Sequence, residues 1–139
     1  MLGAMLGIAH LQTSELFGTG KDPVPLGSAH PMNAPYAAFR CRDGYIAVAA
    51  GTDKLWEAAC AGIERPQIAG DARFASPTLR ARNQNELRDV LEAEFARYDR
   101  AELLAIFGAK GVPCAPINSY SQVLADPQVE HLGLVTELD

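Results

Sequence analysis

The dipeptide Asp43-Gly44 lies between two short apolar runs, and this arrangement limits the possible folds more than any other feature of the sequence. The run before it reads YAAFRC and the run after it reads YIAVAA. Asp-Gly between two such runs is a strong signal for a tight antiparallel hairpin, because it tolerates the backbone angles that these turns need. The sequence therefore predicts strands at about residues 36–41 and 45–50.

Four helical patterns follow the predicted hairpin. Thr52 or Asp53 is suited to begin a helix that runs to about Ala61, and Pro66 to begin a short helical turn. A longer helical stretch begins at Ser76-Pro77 and carries the clearest apolar stripe of the chain, formed by Leu87, Val90, Leu91, Phe95 and Tyr98. Asp99 is suited to begin the next helix and Gly111 to end it.

The stretch GVPCAPINSYSQVLADPQV, residues 111–129, predicts an extended segment followed by two short helices. Pro113 and Pro116 each push the preceding residue out of the helical region, so residues 112–117 are expected to be extended. Ser119 and Gln122 fit a capping box, and Pro127 begins a further turn of helix to about Leu132. Residues 134–138 are predicted to form a final strand. The fold class is α+β: a small antiparallel sheet, made of the hairpin 36–50 plus the C-terminal strand, covered by helices.

The first 35 residues differ from the rest of the chain. Residues 1–17 predict an apolar helix, and residues 18–35 predict a stiff irregular loop because they hold four prolines and three glycines. A helix that is apolar on nearly all sides is expected to be covered on several of them. The predicted organisation is an apolar linker helix over 1–17, a Pro/Gly-rich loop over 18–35 and a small α+β domain over 36–139.

Composition excludes several classes of protein. A net charge of −5 argues against binding to nucleic acid or to an anionic membrane surface. The apolar start, MLGAMLGIA, is too short to span a membrane and lacks the basic residues of a signal peptide. The three cysteines have no spacing typical of a disulfide framework or a zinc site, so we expect free thiols, no metal and a cytoplasmic location.

Few residues of the sequence are candidates for catalysis or ligand binding. Cys114 has no histidine near it in the sequence, and the aspartates fall at turns and helix starts, where structural roles are common. The basic stretch formed by Arg73, Arg80, Arg82 and Arg88 either contacts a phosphate group or forms a solvated face with helix ion pairs. The loop around residues 27–35 is the most suggestive site. Its polar residues Ser28, His30 and Asn33 either contact substrate or belong to a stiff connector.

Four patterns in this order resemble the class III CoA-transferases, the family of formyl-CoA and carnitine-type CoA-transferases and α-methylacyl-CoA racemases. They read HPxxxPYxxFxxxDGYIxVAxG from His30, DxRFxxxxxRxxNxxEL from Asp71, GVPCxPINxxxxVxxDPQV from Gly111, and GLV from Gly133. Each pattern alone is a weak signal, but their order and spacing extend over essentially the whole chain. The resemblance covers the small domain of the family and part of the helix that leads into it.

The resemblance implies a function that this chain carries only in part. Family members transfer CoA between an acyl-CoA and a carboxylic acid, or racemise an acyl-CoA. Their catalytic aspartate or acid/base pair lies in a large domain that this sequence does not match. The resemblance therefore implies no catalytic residue here, a coenzyme A thioester as the family substrate, no bound cofactor, and a chain that is inactive alone. Ser28, His30 and Asn33 would form a wall that touches the acyl or CoA portion.

Two partner arrangements remain open. The chain needs a partner that supplies the large domain, or it is a free-standing, non-catalytic module that self-associates or binds another protein. In either case its helix 1–17 carries apolar surface that a homodimer would cover, with Gly3 and Gly7 spaced to let a second helix approach.

Overall fold

The structure is a computed structural model that describes residues 1–136. Within this range the chain forms a three-stranded sheet and nine helices, which confirms the α+β class. The strands are β1 (Tyr36–Cys41), β2 (Gly44–Ala49) and β3 (Cys114–Pro116). The helices are α1 (Leu2–Ile8), α2 (His10–Thr19), α3 (Asp53–Gly62), α4 (Pro66–Ala69), α5 (Pro77–Arg82), α6 (Gln84–Phe95), α7 (Arg100–Ala109), α8 (Tyr120–Leu124) and α9 (Pro127–His131).

The hairpin forms where the sequence predicts it. Strands β1 and β2 are antiparallel, with Tyr36 opposite Ala49 and Cys41 opposite Gly44. Side chains alternate between the two faces of the sheet, and Phe39, Ile46 and Val48 point to the buried inner face. The inner face therefore becomes one wall of the hydrophobic core.

The third strand differs from the expectation. It is β3, which pairs antiparallel with β2 and places Cys114 opposite Val48. Residues 134–136 lie outside any strand, and the rest of the predicted C-terminal strand lies outside the described residues. The extended segment 112–117 lies at the edge of β2 because it follows directly after α7, which contacts that strand. The carbonyl of Pro113 accepts a hydrogen bond from Ala49 N at 2.9 Å and extends the pairing beyond β3.

The core lies between the inner face of the sheet and the helices α3, α6 and α7. Phe95 of α6 packs edge-on against Phe39 of β1 and Phe107 of α7, with ring centroids 5.8 and 5.6 Å apart. Other buried apolar side chains come from the hairpin, from these helices and from the connections between them: Ala34, Ala37, Cys41, Ile46, Val48, Ala50, Trp56, Ala59, Cys60, Ile63, Phe74, Leu87, Leu91, Leu103 and Val112. The residues of the predicted apolar stripe thus occupy the core or its border.

The predicted stretch that begins at Ser76 is two helices rather than one. Helix α5 begins after Ser76, whose hydroxyl accepts a hydrogen bond from Leu79 N, and it ends at Asn83. Helix α6 begins after Asn83. The Asn83 side chain donates a hydrogen bond to the carbonyl of Arg73 at 2.8 Å, so this residue is tied to the preceding turn instead of continuing a smooth helix.

The N-terminal helix is also divided, and it is uncovered. Helices α1 and α2 are separated at Ala9, and every residue of α1 is exposed. A Cβ added to Gly3 or Gly7 would lie more than 4 Å from other described atoms outside its own helix turn. Residues 1–136 leave α1 uncovered, so the expectation that residues 1–17 are covered on several sides depends on a second surface and stays a prediction. The apolar sequence encodes a surface suited to burial, but burial also needs a second surface.

Candidate functional site

The loop that carries the predicted contact residues is bonded to the first strand. The hydroxyl of Ser28 accepts a hydrogen bond from Ala38 N at 3.0 Å, and His30 N donates to the carbonyl of Tyr36 at 2.9 Å. The His30 ring also stacks on the Tyr36 ring, with centroids 5.4 Å apart and planes 7° from parallel. Residues 28 and 30 are therefore fixed relative to β1, as expected for a stiff loop.

His30 holds the next turn of the loop through one ring nitrogen. Its Nδ1 accepts hydrogen bonds from Met32 N at 3.1 Å and from Asn33 N at 3.2 Å. A nitrogen that accepts must present its lone pair, so the neutral ring carries its proton on Nε2. The imidazole thereby combines a structural acceptor on one side with an N–H donor on the other.

Asn33 lies beside the segment that leaves the hairpin. Its Cβ is 3.3 Å from the position that a Cβ on Gly51 would occupy, so the backbone of Gly51 approaches this side chain closely. Asn33 is exposed, whereas Ala34 and Pro35 next to it are buried. The structure thus places Ser28, His30 and Asn33 on one rigid loop along the start of β1.

Strand β1 is an edge strand whose outward amides are occupied. Ala38 N donates to Ser28, Arg40 N donates to the carboxylate of Glu92 at 2.9 Å, and Arg42 N donates to the carbonyl of Tyr98 at 2.9 Å. Open strand edges attract other strands, and natural proteins cover them with side chains and loops. Ser28 consequently has a role in closing the sheet edge as well as a position on the predicted contact loop.

Arg80 is a buried charged residue whose hydrogen bonds connect the loop 27–35 to the rest of the domain. Its side chain is 1% exposed. Its Nε donates to the carbonyl of Ala34 at 3.0 Å, and its terminal nitrogens donate to the carbonyls of Phe74 at 3.2 Å and Gly51 at 2.9 Å. One terminal nitrogen also contacts the Asp53 carboxylate at 2.9 Å, and the guanidinium lies 5.7 Å from the Trp56 ring centroid. The planar donor fork of arginine satisfies several carbonyls at once.

The other arginines of the basic stretch are less buried. Arg73 pairs with Asp71 at 2.7 Å and with Glu86 at 3.1 Å on the surface. Hydrogen bonds and charge from Arg73 hold the pKa of Asp71 below its ordinary value. Arg82 is exposed and Arg88 half-buried. Arg73 therefore lies on a solvated face with ion pairs, in the turn before α5 rather than in a helix, and Arg80 has a structural role that neither interpretation foresaw.

The sequence contained one signal for the role of Arg80. Residue 80 lies seven positions before Leu87, so it lies two helical turns back on the apolar stripe that continues through Leu91. An arginine on an apolar stripe indicates a buried cation with partners. Its partners, however, are backbone carbonyls from three different segments, and the sequence does not reveal which carbonyls lack other donors.

The outward face of the sheet forms a shallow apolar groove of about 380 Å³, here called the outer groove. Its floor consists of alanines on the outward face of the three strands, and aromatic or branched side chains flank it. The floor is Ala38, Ala47, Ala49 and Ala115, and the flanking residues are Tyr36 and Ile117. Ser28 lies at its margin. A second cleft of about 950 Å³ lies between α2, the Pro-rich loop and α5.

The cysteines and aspartates show no arrangement typical of a nucleophile within residues 1–136. All three cysteines are free thiols, and burial raises the pKa of Cys60 to about 12 and also raises the pKa of Cys41 and Cys114. A thiol with a raised pKa is a poor nucleophile. Asp43 accepts a hydrogen bond from Arg100 N at 2.8 Å, and this bond lowers the pKa of Asp43. In the same range no three metal-ligating side chains come together.

Asp99 and Asp126 occupy helix starts, as the sequence predicts. The Asp99 carboxylate accepts a hydrogen bond from Glu102 N at 3.0 Å, and the Glu102 side chain completes a capping box. Asp126 accepts a hydrogen bond from Gln128 N at 2.8 Å. Ser119 and Gln122 form the predicted capping box. The stretch 111–129 is accordingly a scaffold of strand and helix starts.

Comparison with known proteins identifies the family of this chain. The sequence profile of CoA-transferase family III matches residues 1–139, and the chain belongs to this family. Human succinyl-CoA:glutarate CoA-transferase is 34% identical over 132 residues, which are 95% of this chain and 30% of the human protein. Succinyl-CoA:mesaconate CoA-transferase of Haloarcula hispanica is 28% identical over 139 residues, which are 100% of this chain and 34% of the relative.

Solved structures agree with the sequence comparison. The crystal structure of a CAIB/BAIF family protein from Brucella suis superposes with a TM-score of 0.79 at 35% identity and covers 93% of this chain and 34% of that chain. This chain therefore spans about a third of the length of the relatives that it matches. Among the described residues, each helix is too short or too polar to cross a membrane.

Proposed function

We propose that this chain is the small-domain portion of a class III CoA-transferase, which transfers CoA between an acyl-CoA and a carboxylic acid. The observation that carries the proposal is the likeness to CoA-transferases along nearly the whole chain, combined with coverage of only about a third of each relative. The names of the two relatives pair succinyl-CoA with glutarate or with mesaconate. Short dicarboxylates are therefore the acyl groups to test first. These names also favour a transferase over a racemase.

The chain alone is proposed to be inactive. The aspartates at its turns and helix starts are engaged by backbone amides or by arginines, as described for Asp43, Asp71 and Asp99. The test is incubation of the purified chain with succinyl-CoA and glutarate, followed by chromatography of the thioesters. We expect no new CoA ester above the enzyme-free control. Formation of glutaryl-CoA that depends on the protein would overturn this proposal.

The loop residues Ser28, His30 and Asn33 are proposed to form a wall that contacts the acyl or CoA portion of the thioester. Two observations support this proposal: the loop is held rigidly on β1, and the His30 ring keeps Nε2–H as a donor while Nδ1 is occupied. A preorganised donor binds a carbonyl or phosphate oxygen at a lower entropic cost than a mobile one.

The matched variants His30→Asn and His30→Ala test this contact by titration with succinyl-CoA in a calorimeter. Asparagine can still accept hydrogen bonds from the following amides, whereas alanine cannot, and both variants lack the imidazole Nε2–H. If the donor contacts the ligand, both variants bind succinyl-CoA at least about tenfold more weakly. Unchanged affinity in a folded His30→Asn variant would assign His30 to the scaffold alone.

A second function, a non-catalytic module that self-associates, is favoured by one specific observation. Most of the large apolar side chains of residues 1–17 are exposed, including Leu2 at 77% and Phe17 at 84%. Contiguous exposed apolar surface marks an interaction site. We propose a homodimer that covers this helix, and a large-domain partner is the alternative cover. The proposal also includes a cytoplasmic location, supported by the three free thiols.

A further inference from the structure

We infer that Arg80 is a positioning residue for the segment 30–36, here called the contact turn. It holds residues 31–34 in the geometry in which His30 presents its Nε2–H to a ligand. The inference rests on the proposed contact between His30 and the thioester, and it names the residue on which that contact depends. Arg80 acts through the turn rather than on the ligand, because its side chain is 1% exposed and bonded to carbonyls of its own chain.

The contact turn is closed on itself by its own hydrogen bonds. His30 N donates to the carbonyl of Tyr36 at 2.9 Å, which joins the two ends of the turn. Inside the turn, the amides of Met32 and Asn33 both donate to Nδ1 of His30. These bonds fix the residues of the turn relative to one another, so the middle of the turn still needs an attachment to the domain.

Arg80 provides that attachment. Among the hydrogen bonds of residues 1–136, one joins residues 31–34 to a residue outside the contact turn, and it runs from Arg80 Nε to the carbonyl of Ala34 at 3.0 Å. A terminal nitrogen of the same guanidinium donates to the carbonyl of Gly51 at 2.9 Å. The backbone of Gly51 lies against the Asn33 side chain, whose Cβ is 3.3 Å from the position of an added Cβ. The guanidinium therefore fixes both the residue after Asn33 and the backbone that supports its side chain.

The chemistry of arginine suits this position. The guanidinium also donates to the carbonyl of Phe74 at 3.2 Å, and the Asp53 carboxylate at 2.9 Å offsets its buried charge. A planar fork of donors reaches carbonyls of separate segments at once, whereas the three donors of lysine radiate from a single nitrogen. Loss of the fork leaves buried carbonyls without donors and releases Ala34 from its attachment.

Release of Ala34 reaches His30 through the two amides of the turn. If the backbone at Met32 and Asn33 moves, Nδ1 loses the donors that keep its lone pair occupied. The ring then loses two of the contacts that hold its proton on Nε2 and fix its orientation against Tyr36. A donor that is no longer held in place binds an oxygen at a higher entropic cost.

Hydrogen exchange and NMR of the whole chain test this coupling without a ligand. In Arg80→Met we expect the Met32 and Asn33 amides to exchange at least about tenfold faster. We also expect the ring-nitrogen shifts of His30, measured by long-range nitrogen–proton NMR, to move away from those of an Nε2–H ring with an occupied Nδ1. Leu103→Ala is the control for lost stability, because Leu103 is buried in α7, which packs against β2, β3 and α3. It should leave both observations unchanged.

A milder variant keeps the test decisive if Arg80→Met does not fold. Arg80→Lys retains the charge beside Asp53 but loses the fork, so we expect faster exchange at Met32 and Asn33 in the same direction and to a smaller extent. A folded Arg80→Met protein decides alone, and otherwise Arg80→Lys decides. The deciding variant overturns the inference if its amide exchange and His30 shifts match those of Leu103→Ala.

Titration with succinyl-CoA separates this inference from the proposed contact of His30. We expect Arg80→Met to bind succinyl-CoA at least about tenfold more weakly, and the double variant with His30→Asn to bind no more weakly than either single variant. If the unaltered chain does not bind succinyl-CoA, or if His30→Asn binds it equally well, the proposed contact fails and the exchange measurement alone decides the coupling. If His30→Asn binds weakly while a folded Arg80→Met protein binds like the unaltered chain, the contact stands and Arg80 does not position it.

Discussion

Helices α1 and α7 are both rich in apolar residues, yet only α7 contributes to the core. Leu103 and Phe107 of α7 are fully buried, whereas every residue of α1 is exposed. Helix α7 begins at a capping box formed by Asp99 and Glu102, while α1 has no side-chain hydrogen bond at its start among the described residues. Apolar side chains make the burial of a helix favourable. Burial also requires that the start of the helix be fixed and that a second apolar surface face it.

The largest difference is expected from truncating one phenylalanine of α7 and one of α2, the helix that follows α1 in the exposed N-terminal region. Phe107→Ala removes a buried ring that packs on Phe95 and leaves a cavity, so the free energy of unfolding falls by about 3–5 kcal/mol. Phe17→Ala removes a ring that is 84% exposed and changes that free energy by less than about 0.5 kcal/mol. Urea unfolding followed by circular dichroism measures both, at a protein concentration where the chain is monomeric. Equal losses would contradict the division of the molecule into a packed and an unpacked region.

Replacing Arg80 and Arg82 one at a time compares the contribution of a buried arginine to stability with that of an exposed one. Arg80→Met keeps most of the side-chain volume but removes the donors to the carbonyls of Ala34, Phe74 and Gly51. We expect the free energy of unfolding to fall by about 2–3 kcal/mol, since buried carbonyls then lack donors. Arg82→Met, two residues away and exposed, is the control and should be nearly neutral. A neutral Arg80→Met variant would mean that these carbonyls find water or other donors.

The two capping boxes allow a comparison of identical local structure in different surroundings. Asp99→Ala removes the cap of α7, whose side chains lie in the core, and should lower the free energy of unfolding by about 1 kcal/mol. Ser119→Ala removes the cap of α8, whose residues are all exposed, and should leave the global transition unchanged while increasing amide exchange at Gln122. Urea unfolding and hydrogen exchange measure these two effects. A global loss of the same size in both variants would show that α8 unfolds together with the core.

The smallest effect is the pH dependence at the turn of the hairpin. Hydrogen bonds from Arg100 hold the pKa of Asp43 below its ordinary value of 3.8. A carboxyl whose pKa is lower in the folded protein stabilises the fold above its unfolded pKa, and this stability is lost as the pH falls through the folded pKa. Asp43→Asn should therefore flatten the decrease in stability below about pH 4. Asp89→Asn, at an exposed position of α6, is the control, and an equal flattening there would argue against a specific role of Asp43.

Local patterns predicted the hairpin and most of the helix starts. The Asp43-Gly44 turn, the helix starts at Thr52, Asp99 and Ser119, and the apolar stripe of α6 depend on interactions within a few residues, so the sequence carries them directly. The third strand was misplaced because strand pairing joins distant segments. Both 112–117 and 134–138 have the extended, apolar character of an edge strand, and only the position of α7 relative to β2 brings the first of them into register.

The candidate site was predicted less completely. The sequence identified the loop with Ser28, His30 and Asn33 as suggestive, and the assignment of substrate contact to these residues remains a prediction. The prediction treated Arg80 and Arg73 alike, although Arg80 lies on the apolar stripe and Arg73 lies beside Asp71 in the sequence. The difference between them is burial: Arg80 bonds carbonyls of three segments, whereas Arg73 forms surface ion pairs.

The sequence by itself determined the hairpin, most of the helix starts and the membership in CoA-transferase family III, because each depends on residue types at short, fixed spacings. Only the tertiary structure decided which extended segment completes the sheet, which arginine is buried and which apolar surfaces stay uncovered. These three properties depend on the packing of segments far apart in the chain. The free energy of such packing is set by the facing surfaces and their geometry, which residue type and spacing alone do not specify.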